Sequence, residues 1–240
     1  MATLFISDLH LDESRPEATD AFIRFLQTDA RSADALYILG DLFEAWIGDD
    51  HSDPHNRRVI RALAELTATG IPCFIMRGNR DFLIGQGFCA TAGVKLLADP
   101  TLAWVHDTSV LLSHGDFMCT DDLGYMRYRK VIRHPAAESF LNGLPFSLRN
   151  AITRYIRANS AARVGLKPPE ITGVNQAAVE SVLREYGVNT LLHGHTHRPD
   201  IHRFNLDGSE AMRIVLGDWY EQGSVLSWDE NGPRLASFSY

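Results

Sequence analysis

Short apolar runs alternate with helical patterns along the first third of the chain. The runs at 3–7, 35–39 and 72–76 are typical of buried strands, and polar residues and glycines follow each of them. Between these runs, apolar residues recur at helical spacing within 21–30 and 56–69. This β-α-β-α-β order predicts an α/β protein whose parallel strands end at one edge of a sheet.

Further strand patterns follow in the second half of the chain. We predict strands around 102–106 and 109–113, and a helix near 174–186 that leads into a strand at 189–192. Four short strands are predicted near the end of the chain, at 200–204, 212–216, 224–228 and 234–239. The fold class that this order predicts is α/β with more than one sheet.

Composition narrows the class of protein. The chain has 240 residues, of which 45% are hydrophobic and 22% charged, which fits one large globular domain or a domain that carries an insertion. A composition of this kind excludes a disordered chain. No apolar run approaches the ~18 residues that a membrane-spanning helix needs. Cys73, Cys89 and Cys119 show no zinc-binding spacing, so we expect a reducing compartment. The net charge of −7 argues against nucleic acid as a partner.

Basic residues are concentrated in one segment. Residues 124–169 contain nine Lys or Arg residues and a single acidic residue, Glu138. Within an acidic chain, this predicts an inserted module that faces an anionic ligand or surface, with 1–123 and 170–240 as the core. Apolar residues between the basic ones indicate amphipathic helices; they are Phe140, Leu141, Leu144, Phe146, Leu148, Ile152, Tyr155 and Ile156. The alternative is an ordinary helical hairpin with a solvated basic face.

Side chains suited to metal binding follow five of the predicted strands. They are Asp8, His10, Asp41, Asn79, His114, His195 and His197. Imidazole and carboxylate together suit Mn, Fe, Zn or Co, and six or seven ligands with one shared carboxylate satisfy a two-metal site. We expect 8–10 and 195–197 to be extended, which would place both ligands of each segment on one face. Each residue alone could be a helix cap, a turn residue or a core histidine, but their joint occurrence predicts a metal centre.

These segments resemble the motifs of the calcineurin-like metallophosphoesterases, in the order that the family has them. They are Asp-Leu-His at 8–10, Gly-Asp-Leu-Phe-Glu at 40–44, Gly-Asn-Arg-Asp at 78–81, His-Gly-Asp at 114–116 and Gly-His-Thr-His at 194–197. The resemblance implies a β-sandwich flanked by helices, with a two-metal centre at the strand ends. One position departs from the general pattern, because Arg80 stands where most members have a catalytic histidine.

Arg80 and the sequence of residues 41–50 resemble one branch of this superfamily, the UDP-2,3-diacylglucosamine diphosphatases of lipid A biosynthesis. Residues 117–122 and 157–160 extend the resemblance to nearly the whole chain. It implies attack of water on the α-phosphorus of UDP-2,3-diacylglucosamine, which gives UMP and 2,3-diacylglucosamine 1-phosphate. It also implies a peripheral protein on the cytoplasmic side of the inner membrane, whose insert is a lid over acyl chains. We expect a monomer.

The resemblance also assigns roles to residues. It implies two Mn²⁺ ions per chain, one held by Asp8, His10, Asp41 and His197 and the other by Asp41, Asn79, His114 and His195. The substrate contacts that it implies are Asn79, Arg80, Asp122, Ser160, Lys167 and His195. Arg80 and Asp41 are the expected catalytic residues, with Arg80 holding nonbridging phosphoryl oxygens through its forked donors. Val164 stands where relatives have a substrate-contacting asparagine.

Two other functions remain possible from the sequence. A soluble nucleotide pyrophosphatase or phosphodiesterase would share the metal motifs, although the basic, apolar insert argues against it. A scaffold that has lost catalysis would keep the fold, but such a protein is expected to lose ligands, and here all seven positions are filled.

Overall fold

The computed structural model describes residues 1–50, 53–164 and 173–240, and only the backbone of 157–164. The described part contains eleven strands and seven α-helices. In chain order they are β1 (Thr3–Ile6), α1 (Pro16–Gln27), β2 (Ala35–Leu39), α2 (Pro54–Thr67), β3 (Cys73–Met76), α3 (Gln86–Ala92), β4 (Lys95–Leu97), β5 (Thr101–Val105), β6 (Thr108–Ser113), α4 (Leu123–Ile132), α5 (Pro135–Gly143), α6 (Phe146–Val164), α7 (Gln176–Tyr186), β7 (Thr190–His193), β8 (Asp200–Leu206), β9 (Ser209–Val215), β10 (Gly223–Asp229) and β11 (Gly232–Phe238).

The strands form two sheets that pack face to face. The first has the order β11-β10-β1-β2-β3-β4 and the second the order β5-β6-β7-β9-β8. Between them lies a shared core in which Phe5, Leu39 and Met76 of the first sheet meet Leu112 and Leu192 of the second. The prediction of an α/β fold with more than one sheet is confirmed, and so is the β-sandwich that the resemblance implies.

Helices cover the outer faces of both sheets. Strand alternation sends Phe5 into the core between the sheets and Leu4 and Ile6 to the other face, where α1, α2 and α3 pack. On the outer face of the second sheet, Leu111 and Leu191 pack against α7. The result is a four-layer arrangement of helix, sheet, sheet and helix.

The strand topology brings five strand ends to one rim. Strands β1, β2 and β3 run parallel in the first sheet, as do β6 and β7 in the second. Backbone hydrogen bonds tie the following loops together, from Asp8 N to the Gly40 carbonyl and from Gly194 N to the His114 carbonyl. Because parallel strands end at the same edge, the polar residues after these strands meet there.

The sequence pattern does not predict helix α3 or strand β4, the edge strand of the first sheet. Helix α3 is only seven residues long and has no capping side chain of its own. Instead, Asp49 accepts hydrogen bonds from the backbone N–H groups of Gly85 and Phe88, both at 3.0 Å. A cap that comes from a distant loop leaves no local signal, so the pattern of 86–97 could not show this helix.

Three helices, α4, α5 and α6, occupy most of the predicted insert. Helices α4 and α5 bury none of their residues. Among the described side chains of α6, at 146–156, Arg149 is buried, and it pairs with Asp50. Within the described ranges, no helix is both long enough and apolar enough to cross a bilayer. The division into a core and a lid stays a prediction.

Candidate metal centre

Five of the seven predicted ligands have left-handed backbone. The φ angles are 54° at Asp8, 50° at His10, 53° at Asp41, 70° at His195 and 55° at His197. The expectation of extended segments at 8–10 and 195–197 is therefore wrong, because the chain turns at each ligand instead of alternating faces. Such backbone costs free energy at a residue with a Cβ and persists where the surroundings fix it, often at functional sites.

One group of side chains forms the first half of the cluster. Asp8 Oδ1 lies 3.3 Å from His197 Nε2 and 3.9 Å from His10 Nε2. The two Nε2 atoms are themselves 3.3 Å apart. Asp8 is fully buried, and its other carboxylate oxygen accepts hydrogen bonds from Ser7 Oγ and from the backbone N–H of His195. These bonds hold Oδ1 toward the imidazoles.

A second group forms the other half. Asn79 Oδ1 lies 2.9 Å from His114 Nε2 and 2.9 Å from His195 Nδ1. Asp41 Oδ2 lies between the halves, 3.8 Å from His10 Nε2 and 3.8 Å from His114 Nε2. This central position is what a carboxylate shared by two metals requires.

Acceptors lie behind three of the histidines. His10 Nδ1 is 3.0 Å from Glu44 Oε2, His197 Nδ1 is 3.2 Å from Asp218 Oδ2, and His114 Nδ1 is 3.0 Å from the Leu39 carbonyl oxygen. A carboxylate or carbonyl oxygen behind Nδ1 favours a proton on that nitrogen, which leaves the Nε2 lone pair facing the cluster. The same arrangement orients ligating imidazoles in metalloproteins.

The atoms that converge on the cluster are electron-pair donors. Nε2 faces Nε2 between His10 and His197, and Nε2 faces a carbonyl oxygen between His114 and Asn79. The buried Asp8 Oδ1 has no hydrogen-bond partner among the described residues. Positive charge, either protons or cations, must lie between such atoms, so the residues fit a divalent metal pair.

Without metal, the cluster holds protons. Burial lowers the pKa of His114, but the carboxylates of Asp41 and Asp8 outweigh burial and raise it to about 9. Burial also lowers the pKa of His197, and its contacts with the carboxylates of Asp218 and Asp8 raise it to about 10. By contrast, burial and the charge of His114 lower the pKa of His195 to about 4. A metal that enters the cluster must therefore displace protons from two histidines.

Two further residues fix the loops around Asp41. Asp81 accepts hydrogen bonds from Gly78 N at 2.7 Å and Leu42 N at 2.8 Å, which joins the second and third motifs. Burial, followed by the charge of Asp41, raises the pKa of Asp81 to about 6. The backbone N–H of Arg80 donates to Asp41 Oδ1 at 2.7 Å, while Arg80 Nη1 lies 3.5 Å from the Glu44 carboxylate.

A cavity of about 350 Å³ opens from the cluster toward the insert. Four of the predicted substrate contacts line it, namely Asn79, Arg80, Asp122 and His195. Its apolar wall includes Phe82, Leu83, Ile132, Leu141, Ile152 and Ile156, of which the last four belong to the insert. Asp122 also caps α4 by accepting a hydrogen bond from Tyr125 N. The Ser160 side chain and the whole of Lys167 lie outside the described residues, so their predicted contacts stay untested.

The sequence matches the family model of the calcineurin-like phosphoesterases over residues 1–199. That match covers more than half of the chain and includes all seven predicted ligands. The chain belongs to the calcineurin-like phosphoesterase family. The resemblance that the five motifs carry is thereby confirmed.

Curated relatives of this phosphoesterase have nearly the same length. A UDP-2,3-diacylglucosamine hydrolase of Pseudomonas fluorescens (strain SBW25) is 50% identical over 237 residues, covering 99% of this chain and 95% of the relative. Proteins of that name from Stutzerimonas stutzeri (strain A1501) and Stenotrophomonas maltophilia (strain R551-3) are each 49% identical, over 98% and 100% of this chain and 98% and 99% of their own. A solved archaeal phosphodiesterase aligns at 12% identity with a TM-score of 0.49, over 99% of this chain and all of its own.

Three residues of the phosphoesterase centre were missed from the sequence. Glu44 lies in the second motif, at 40–44, where the sequence alone does not indicate its role. Asp218 follows strand β9 in a Gly-Asp pair, the same signal that identified Asp41 after β2. The Tyr220 ring stacks on His10 at 5.2 Å with an angle of 8° between the planes, and no sequence pattern predicts that contact.

Proposed function

We propose that this chain hydrolyses the pyrophosphate bond of UDP-2,3-diacylglucosamine in lipid A biosynthesis, releasing UMP and 2,3-diacylglucosamine 1-phosphate. The observation that carries the proposal is a cavity that extends from the metal cluster to an apolar wall, to which the insert contributes four side chains. The substrate has the same two parts, a pyrophosphate and two acyl chains. The names of relatives at about half identity over nearly the whole chain support the same substrate.

The residues that would hold two Mn²⁺ ions are those of the cluster. One ion would lie among Asp8, His10, Asp41 and His197, and the other among Asp41, Asn79, His114 and His195. When bound, a pair of divalent cations supplies an activated water at neutral pH and neutralises charge on the attacked phosphoryl group. Asp41 is the shared ligand in this proposal, since it is equidistant from His10 and His114.

Arg80 stabilises the charge that develops on the α-phosphoryl oxygens. Its backbone N–H donates to Asp41, and its guanidinium lines the cavity beside Glu44 and is about one-third exposed, so a ligand in the cavity can reach it. An arginine cannot donate a proton at neutral pH, but its forked donors suit nonbridging oxygens. The leaving sugar phosphate is a weak base, so a general acid is not needed at this position.

The outer face of the insert suits an anionic membrane surface. Several large apolar side chains of the insert and its N-terminal edge are exposed, namely Leu123, Val131, Phe140, Leu148 and Tyr155. Exposed basic residues lie on the same helices, among them Arg127, Lys130 and Arg154. We place the protein, as a monomer, at the cytoplasmic surface of the inner membrane.

Sedimentation with anionic vesicles at low salt tests the membrane association. A protein that stays in the supernatant contradicts it.

Product analysis tests the reaction. Purified protein with Mn²⁺ and UDP-2,3-diacylglucosamine should yield UMP and the lipid sugar phosphate, while Asp41→Ala should yield neither. Hydrolysis of bis-p-nitrophenyl phosphate without turnover of the lipid nucleotide would favour a soluble diester substrate instead. Absence of both activities in protein that binds metal would indicate a scaffold.

A further inference from the structure

Two arginines of the insert reach the core behind the metal cluster. Arg129 Nε lies 2.9 Å from Asp116 Oδ2. Arg133, the C-cap residue of α4, donates from Nη2 to the carbonyl oxygens of Gly78 at 2.9 Å and Arg77 at 3.2 Å. We call Arg129 and Arg133 the arginine bracket. Their side chains are only 20% and 16% exposed, which shows that both are enclosed by the contact.

The bracket neutralises acids that the core buries beside His114. Asp116 is fully buried two residues after His114, and the Asp99 side chain, 7% exposed, accepts a hydrogen bond from the backbone N–H of His114 at 3.2 Å. Within 4 Å of these carboxylates, the Lys and Arg groups of the described residues are Arg129 and Arg133 alone. Because a buried carboxylate without a counter-charge is strongly disfavoured, these two arginines of the insert stabilise the core at this point.

One guanidinium of the bracket also joins two ligand loops. Arg133 Nη2 contacts the Gly78 carbonyl immediately before Asn79, and it lies 3.6 Å from Asp116 Oδ2, two residues after His114. Asn79 and His114 face each other at 2.9 Å in the cluster. The Gly78 backbone is packed so closely that a Cβ there would collide with the Asp41 carboxylate. A shift of this loop would therefore be transmitted directly to the ligands.

We propose that Arg133 is a positioning residue for the metal held by Asn79 and His114, so that docking of the insert and assembly of this metal site are coupled. The insert is then a structural part of the metal centre as well as a cover for the cavity. Coupling of this kind is reciprocal: the docked insert raises metal affinity, and the bound metal stabilises the docked insert. The inference rests on the two-metal site of the proposed function.

Titration of the full chain with Mn²⁺ alone, followed by calorimetry and by electron paramagnetic resonance, tests the proposal. In Arg133→Met, one of the two Mn²⁺ sites should lose about 10- to 100-fold in affinity, the range found when outer partners of metal ligands are removed. The matched control is Arg127→Met, an exposed arginine of the same helix. It should bind as the wild type does. Two sites of wild-type affinity in Arg133→Met would overturn the proposal.

Kinetics with UDP-2,3-diacylglucosamine distinguish a role of Arg133 in positioning the metal ligands from a role in the lid alone. At saturating Mn²⁺, Arg133→Met should lower kcat while KM changes little, since the ligands and not the substrate wall are displaced. An unchanged kcat with a raised KM would assign Arg133 to the lid alone and overturn the proposal. Arg133→Lys keeps the charge, but the lysine nitrogen is one bond closer to Cα than the Nη2 atom that contacts two carbonyls and a carboxylate. The affinity of the weakened Mn²⁺ site in this variant should therefore lie between those of the wild type and Arg133→Met.

The two possible failures are distinguishable. If the wild-type chain does not bind two Mn²⁺ ions, the metal site of the proposed function fails before any variant is compared. If it binds two and Arg133→Met behaves like Arg127→Met, the coupling alone is wrong. Should circular dichroism show that Arg133→Met does not fold, Arg133→Lys decides, and wild-type Mn²⁺ affinity in that variant overturns the proposal.

Discussion

At the scale of single residues, the cluster is defined by which nitrogen of each histidine faces inward. Glu44 and Asp218 lie behind His10 and His197, and each histidine therefore presents Nε2 to the Asp8 carboxylate. The residue types could be predicted because metal chemistry restricts them to carboxylate, imidazole and carboxamide. The left-handed backbone at Asp8 and His10 could not, because it is imposed by contacts between loops that are distant in sequence.

The raised pKa values at two ligands predict how metal binding depends on pH. The pKa values of about 9 for His114 and about 10 for His197 are above the unfolded value, so the charged histidines stabilise the metal-free fold below about pH 6.5. That stabilisation is lost as pH rises through about 9 to 10. Mn²⁺ must displace these protons, so its affinity should rise steadily from about pH 6.5 to 8.5. Calorimetry in buffers of different ionisation enthalpy measures the release, and a pH-independent affinity would contradict this assignment.

Asp218 offers a test of the outer carboxylates. Asp218→Asn keeps the shape of the side chain but removes the charge 3.2 Å from His197 Nδ1. The amide can also turn its NH₂ group toward the ring and favour the wrong tautomer. We expect Mn²⁺ affinity to fall by about 10- to 100-fold. Asp207→Asn, which removes an exposed partner of Arg184, is the control and should leave Mn²⁺ affinity unchanged.

At the scale of elements, the strands were easier to predict than the helix that follows the third motif. Strands β1, β2 and β3 are short apolar runs, and burial between helices and a second sheet makes such runs distinctive. Helix α3 depends on Asp49, which lies 36 residues before Gly85 and also accepts a hydrogen bond from Trp46 Nε1. A helix whose N-terminus is capped by a residue distant in sequence has no capping signal in its own sequence.

The dependence of α3 on Asp49 predicts a stability change. Asp49→Ala removes a carboxylate that accepts from Gly85 N, Phe88 N and Trp46 Nε1. We expect the free energy of unfolding in urea to fall by about 1–3 kcal/mol, since one cap and one partly buried indole bond are lost together. Glu65→Ala, at an exposed position of α2, is the matched control and should change it by less than about 0.5 kcal/mol. Equal stability of the two variants would show that the cap contributes nothing.

At the scale of the whole molecule, two sheets and an insert converge on one site. The order of the motifs along the chain was sufficient to predict the rim, because parallel strands that end in polar residues leave few other arrangements. The excess of basic residues in 124–169, within an otherwise acidic chain, is sufficient to predict an insert. It does not predict which surface of the core the insert contacts. The contacts of Arg129 and Arg133 with Asp116 depend on helix orientation, which composition does not encode.

We propose that water attacks the α-phosphorus of UDP-2,3-diacylglucosamine at this metal centre. Hydrolysis in ¹⁸O-enriched water with Mn²⁺, followed by mass spectrometry of both products, tests it most directly. If water attacks the α-phosphorus, UMP should carry one ¹⁸O atom, the lipid sugar phosphate should carry none, and Asp41→Ala should show no turnover. Label in the sugar phosphate, or equal turnover in Asp41→Ala, would contradict it.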